Sequence, residues 1–354
     1  MRTAMQTLGL RDVQMVQLGT MLWSDDIAYW RSVSMPIGFQ NQSSVWFFGG
    51  SRILWDGYGV GTLDGNGQAW YDWAKGEGNL ARRPMNINFR NLTDSTVRRM
   101  RFVQSQMWTM ALSGSRRVDL DDIYVSSRSG SQWNTLNTDG ADTIDSDRIT
   151  FRRWTVDNGD DAIALKRNST NIAVYDSVFR NGQGIAIGSM GQYAGRTELI
   201  SGFRARNLTF VNTAHVSYLK TWSGVPRGVP PNGGGGGLGI ASDIVIEDVR
   251  VEHLRQQPFF AWQCEHYSGF AGRDCNSSQF KLSRVAWRRV SGSVSPDVRE
   301  TGRFQCSAAA RGCDDFQVSD IDIRRPNGEK LDAWYCDNVN AHSGFRCTAG
   351  NVRQ

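Results

Sequence analysis

Arg148-Ile149-Thr150-Phe151 recurs 23 residues later as Asn171-Ile172-Ala173-Val174, and Asn158-Gly159-Asp160 recurs at the same interval as Asn181-Gly182-Gln183. Each copy joins a short apolar or β-branched run to Asn, Gly or Asp punctuation, the pattern of a strand followed by a turn. Ile163 and Leu165 return in kind as Ile185 and Ile187 with a one-residue shift. Runs of the same character follow at residues 244–251, 280–290 and 316–323. A strand repeat of about 20 to 30 residues predicts a solenoid. The absence of a 3.6-residue periodicity argues against helical repeats. A parallel β-helix meets these conditions, because neighbouring coils satisfy each other's backbone groups and edges remain only at the ends.

Working outward, residues 1–22 already read as strand material and carry no charged-then-apolar leader pattern. The expectation is one β-helical domain over residues 1–354 that lacks its extreme N-terminal part. Residues 223–242 interrupt the pattern. They hold Pro230-Pro231 and five consecutive glycines at 233–237, which a strand interior does not tolerate. The segment reads as a loop, either a flexible excursion or the rim of a cleft.

Composition narrows the class. A hydrophobic share of 40% suits a sizeable core, and most of the 13 tryptophans are expected inside it. The net charge of +5 fits an acidic polysaccharide partner, whereas no Lys/Arg-rich block points to nucleic acid. No run of 18 apolar residues predicts a membrane span. All six cysteines, Cys264, Cys275, Cys306, Cys313, Cys336 and Cys347, lie in roughly the last quarter. An even, clustered set without C-x-x-C reads as three disulfides paired in sequence order, closing short loops at the C-terminal end. Sequons at Asn41, Asn91, Asn168, Asn207 and Asn276 agree with an extracellular, glycosylated protein, although each alone is weak.

Stacking turns the repeat into geometry. Successive coils lie roughly 4.8 Å apart, so Asp160 and Gln183 are expected nearly superposed, with Asp139 about one coil earlier and Asp161 beside Asp160. Singly, each aspartate reads best as a turn residue. Three on one strip suggest chemistry, because crowded carboxylates hold a proton that a glycosidic oxygen can receive.

Asn137-Thr138-Asp139-Gly140, Gly159-Asp160-Asp161, Gly182-Gln183-Gly184 and Tyr218-Leu219-Lys220 resemble, in order and spacing, the motifs of glycoside hydrolase family 28, the polygalacturonase and rhamnogalacturonan hydrolase family. The resemblance covers residues from about 40 to 350. It implies a right-handed parallel β-helix and single-displacement, inverting hydrolysis. Asp160 would be the general acid, and Asp139 and Asp161 would hold the attacking water. Acid and base are then expected roughly 6.5 to 9.5 Å apart. Two positions depart from the family pattern: Gln183 stands for a histidine and Tyr218 for an arginine, while Lys220 is kept. An arginine fork grips a uronate carboxylate as tyrosine cannot.

Residues 188–193, ending in Tyr193, together with Lys220-Thr221-Trp222 and the glycine run, resemble fungal exo-acting members directed at rhamnogalacturonan or rhamnose. Substrate contacts are therefore expected at Gln183, Tyr193, Tyr218, Lys220 and Trp222. His215 is expected near the cleft, and His253, His266 and His342 in structural roles. No metal or cofactor motif is present, and a monomer acting on pectic polysaccharide is expected. Three alternatives stay open: a polygalacturonase proper, a calcium-dependent pectate lyase, and a non-catalytic carbohydrate-binding solenoid.

Overall fold

Thr155, Val156 and Asp157 lie opposite Val178, Phe179 and Arg180 in parallel register, so the 23-residue interval is one turn of a coil. The same column continues upward through Tyr124, Arg101 and Thr62. One residue along, Leu63, Phe102, Val125, Val156 and Phe179 form a file of fully buried side chains. Alternation explains this: successive strand residues face opposite sides, and only the inward set is apolar. Each such side chain contributes roughly 1.5 to 3 kcal/mol of burial free energy.

The computed structural model describes residues 1–265 and 274–349; His266 lies outside them. The chain forms two compact units, Met1–Ala164 with Ile172–Gly182, and Leu165–Asn171 with Gln183–Gln354. Each is a parallel β-helix. In the first, strand Met5–Val16 pairs with Trp46–Asp56. This unit also carries two short helices, Ile27–Val33 and Gly67–Ala74. In the second, Phe203, Ile244, Val285 and Phe316 make a fully buried file, and Trp287 stacks on Phe304 with ring centroids 5.5 Å apart.

Two expectations need correcting. Coils of the second unit exceed the 20 to 30 residues expected: Thr197 faces Leu238, and Leu238 faces Gln279. The first of these intervals contains the glycine-rich segment, which adds length without adding a strand to the stack. That loop is also shorter than 223–242. Strand Leu238–Leu254 begins directly after the last glycine, because Leu238 to Ser242 already pair with Thr197 to Ser201.

The three disulfides join Cys264 to Cys275, Cys306 to Cys313 and Cys336 to Cys347, as expected. No helix among the described residues is long and apolar enough to cross a membrane. All five sequon asparagines are exposed. Asn41, Asn91, Asn168 and Asn207 hold the left-handed conformation at coil corners, which asparagine adopts more readily than most residues.

Many corners use charged residues in the same conformation. Asp12, Arg52, Asp94 and Arg117 all have positive φ in the first unit, and Asp243, Arg284 and Asp315 do so in the second. Arg52 forks onto Asp12, and Arg284 onto Asp243. Such exposed pairs contribute at most about 1 kcal/mol each.

Asp56 differs, because its side chain is fully buried. It accepts hydrogen bonds from Arg99, from the backbone of Tyr58 at 2.9 Å and from Arg98 at 2.8 Å. The Arg99 bond, with those of Tyr58 and Arg98, holds its carboxyl far below the usual carboxylate range. Asp56→Asn is therefore expected to cost about 2 kcal/mol at neutral pH. A depressed native pKa stabilises the fold above the unfolded value and loses that effect as pH falls through the native one. The wild-type advantage in thermal unfolding should accordingly be full near pH 7 and shrink steadily below about pH 4. An advantage that stays constant from pH 7 to pH 2 would refute this role.

Candidate active site

In the first unit, two turns of chain bring the expected carboxylates together. Gly140 N–H donates to the Asp161 carbonyl at 2.9 Å, which lays one motif directly on the next coil. Asn158 Nδ2 bridges the carbonyls of Thr138 and Asp161 at 2.8 and 2.9 Å. Gly159 N–H donates to Thr138 Oγ1 at 3.1 Å. Asp160 is oriented from both sides: Asn137 N–H donates to its Oδ2 and Asp161 N–H to its Oδ1, each at 2.9 Å. Asp139 and Asp161 are nearly buried, with 3% and 1% exposure, while Asp160 is half-buried.

One carboxylate oxygen from each of Asp139, Asp160 and Asp161 lies within 4.8 Å of the others. At their nearest oxygens the carboxylates are closer than the 6.5 to 9.5 Å expected between whole carboxyl groups, and the reason is architectural. Asp160 and Asp161 are adjacent, and Asp139 comes from the neighbouring coil, whose rise is itself about 4.8 Å. The observed span has its own use. A water donating to two oxygens at about 2.8 Å each spans about 4.5 Å between them. The same spacing would also admit a cation.

Two motif glycines permit this stacking. A Cβ on Gly159 would stand 2.1 Å from Thr135 Oγ1, and one on Gly182 would stand 2.2 Å from the Asp160 carbonyl. Gly182→Ala must push the Asp160 backbone aside. A displacement near 1 Å at a reacting group costs about 10²-fold, so a comparable loss in kcat is expected with the fold retained. Steady-state kinetics beside a circular dichroism melt checks this, and wild-type turnover in the variant would contradict it.

Sequence reasoning missed Arg83, which is 1% exposed in the first unit. Its Nε donates to the Gln106 carbonyl at 2.5 Å. Burial pushes its pKa down to about 10, against the pull of Tyr71, Asp160 and Asp139. The guanidinium therefore remains charged. The signal available in the sequence was Arg82-Arg83-Pro84 just before a strand.

The second unit holds the expected sugar contacts. Tyr218, Lys220 and Trp222 alternate along strand Ser217–Trp222 and share one face. Lys220 lies in register between Gly188 and Trp262. Its Nζ donates to the Tyr218 hydroxyl at 3.1 Å and sits 4.6 Å from the ring centroid. His215 N–H donates to the Gln183 carbonyl at 3.0 Å, and the His215 ring lies 5.2 Å from that of Tyr218. His215 Nδ1 is 2.7 Å from the Gln257 carbonyl. A carbonyl only accepts, so Nδ1 carries the proton.

Trp222 corrects an expectation: at 3% exposure it leaves too little ring surface for a sugar to stack on. Tyr193 is half-buried next to the glycine-rich loop. That loop is tied down, because Gln192 Nε2 donates to the carbonyls of Pro231 and Gly233, both at 2.9 Å. Lys166, also unforeseen, is 3% exposed and donates to the Gly188 carbonyl at 3.2 Å.

The model of glycosyl hydrolases family 28 matches residues 37–347. The chain belongs to that family. Among its relatives, it is 41% identical over 347 residues to the alpha-L-rhamnosidase rgxB of Aspergillus niger, covering 98% of this chain and 80% of that one. It is 35% identical over 353 residues to a putative galacturan 1,4-alpha-galacturonidase A of Aspergillus flavus, covering 94% and 80%. The endo-xylogalacturonan hydrolase of Aspergillus tubingensis superposes with a TM-score of 0.76 at 19% identity, over 98% of this chain and 91% of that one. The family 28 chain is thus a glycosidase with the pectin-hydrolase β-helix.

Proposed function

We propose that this family 28 glycosidase is a secreted enzyme that cleaves rhamnose-containing pectic polysaccharide in preference to polygalacturonate, by single displacement. Asp160 donates its proton to the leaving oxygen as the glycosidic bond breaks. Asp139 and Asp161 hold the attacking water, and one of them takes its proton as the new C–O bond forms. Three converging carboxylates suit this scheme, since two can share a water while the third serves the leaving group. Residues 1–354 would serve one monomeric catalytic domain. Three disulfides and five exposed sequon asparagines support an extracellular site of action.

The observation that carries the substrate preference is the Lys220–Tyr218 pair. Tyrosine stands where a polygalacturonase presents an arginine, and the remaining lysine is bonded to that hydroxyl and lies over its ring. The pair offers a hydroxyl and a single engaged cation in place of an arginine fork, which suits a neutral or deoxy sugar better than a carboxylate. The 41% identity to a protein named as an alpha-L-rhamnosidase supports the same choice. Gln183, Tyr193 and His215 are proposed as further sugar contacts.

The test compares kcat/KM on both polymers for wild type, Tyr218→Arg and Lys220→Ala. Tyr218→Arg is expected to shift the ratio toward galacturonate by about tenfold, the effect of about 1.4 kcal/mol in transition-state binding. Lys220→Ala should weaken whatever uronate contact remains. An unchanged ratio across the three proteins would remove the pair from specificity.

A further inference from the structure

We propose that Arg83 is the built-in counter-charge of the three-aspartate cluster, a positioning residue that sets the cluster's protonation and lets three carboxylates converge. The inference rests on the catalytic reading of Asp139, Asp160 and Asp161 and adds a group that none of the family motifs contains.

Two hydrogen-bonded chains tie the surroundings of Arg83 to the cluster. Arg83 Nε bonds the Gln106 carbonyl, and three residues further on, Thr109 N–H donates to the Asp139 carbonyl at 2.7 Å. On the other side, Arg83 N–H donates to the Leu80 carbonyl at 3.2 Å. Next to Leu80, Asn79 N–H donates to Asn137 Oδ1 at 2.6 Å, and Asn137 N–H donates to Asp160 Oδ2. Arg83 thus bonds both supporting segments, that of Asp139 through its side chain and that of Asp160 through its backbone.

Its Nη1 and Nη2 make no hydrogen bond among the described residues. A buried cation in that state is tolerated only where opposite charge compensates it through space. The charges acting on it are those of Asp160 and Asp139; the neighbouring Tyr71 phenol, its pKa raised by burial, is neutral. Asp161 belongs to the same cluster. Asp64 bears on the same Tyr71, and Asp142 is fully buried in strand Ala141–Ile144, which follows Asp139 and Gly140. A pure structural strut would need only the Nε bond; a charge that also acts on Asp160 and Asp139 stabilises their ionised forms.

Arg83→Met removes the charge. Both limbs of the pH–kcat profile are then expected to move upward by about one pH unit, because the aspartates lose a neighbour that favours ionisation. The vacated charge should also let the cluster bind calcium at least tenfold more tightly, read by calorimetry with calcium chloride alone. Arg83→Lys, which keeps the charge, should return both readouts toward wild type. If Arg83→Met does not fold, Arg83→Gln gives the same two readouts. A lower kcat with unmoved limbs and unchanged calcium affinity would overturn the proposal. So would failure of both neutral variants to fold while Arg83→Lys folds, since Arg83 would then be a strut. Full activity of Asp160→Asn would instead overturn the catalytic reading beneath it, so the two failures are distinguishable.

Discussion

Asp160→Asn is expected to lower kcat on polysaccharide by roughly 10² to 10⁴-fold, the usual worth of a positioned general acid. An amide has no proton to give at useful pH. The substitution is also not silent structurally. Asp160 accepts N–H groups at both oxygens, and an asparagine keeps only one acceptor, so a cost of about 1 kcal/mol in stability should accompany the loss. Substrate binding should change little. The decisive control is a substrate with a good leaving group, such as an aryl glycoside, whose departure needs no protonation. Asp160→Asn should recover most of its turnover on that substrate. If the variant is equally impaired on both substrates, the proton donor lies elsewhere.

Asp161→Asn and Asp139→Asn should show the complementary pattern, losing roughly 10² to 10⁴-fold on polysaccharide and aryl substrate alike. Water must be activated whatever the leaving group. Both side chains are buried within 3% exposure and lie within 4.8 Å of each other and of Asp160 at their nearest oxygens. Two groups that hold one water act as a unit, so the double variant should be little worse than the more severe single one. Multiplicative losses would mean that the two act on separate steps. Product anomers read by NMR should show inversion despite the short separation, and retention would reassign one of them as a nucleophile.

Much of this was legible because a solenoid converts sequence period into distance. The repeat placed Asp139 about one coil before Asp160 and Asp161 on one strip, and the coil rise brought them within 4.8 Å. The same rise is why their nearest oxygens lie closer than the separation expected between whole carboxyl groups. Turn punctuation was read only partly. Arginines such as Arg52, Arg117 and Arg284 occupy left-handed corners, yet arginine is no turn signal, so those corners were invisible without the ion partner in the next coil. The corner asparagines have the opposite ambiguity. In Asn91-Leu92-Thr93 the asparagine turns the chain, Leu92 is buried and Thr93 opens the next strand, so a coil corner produces a sequon for structural reasons alone. Trp222 was misread because the glycine run that follows it suggested exposure, whereas alternation along its strand places it with Tyr218 and Lys220, all at 9% exposure or less. Arg83 escaped because it lies in no repeat and in no motif, and the Arg82-Arg83-Pro84 run before a strand does not tell which arginine is buried.

Hydrolysis of rhamnose-containing pectin at the three aspartates is tested by incubating the purified protein with rhamnogalacturonan oligosaccharides and with polygalacturonate, with products resolved by chromatography and kcat/KM measured for each. The account predicts saturated, rhamnose-bearing products, undiminished by chelator, and a higher kcat/KM on rhamnogalacturonan. A tenfold or greater preference for polygalacturonate, equal to about 1.4 kcal/mol, would contradict the substrate reading. Unsaturated products that vanish with chelator would contradict the hydrolytic one.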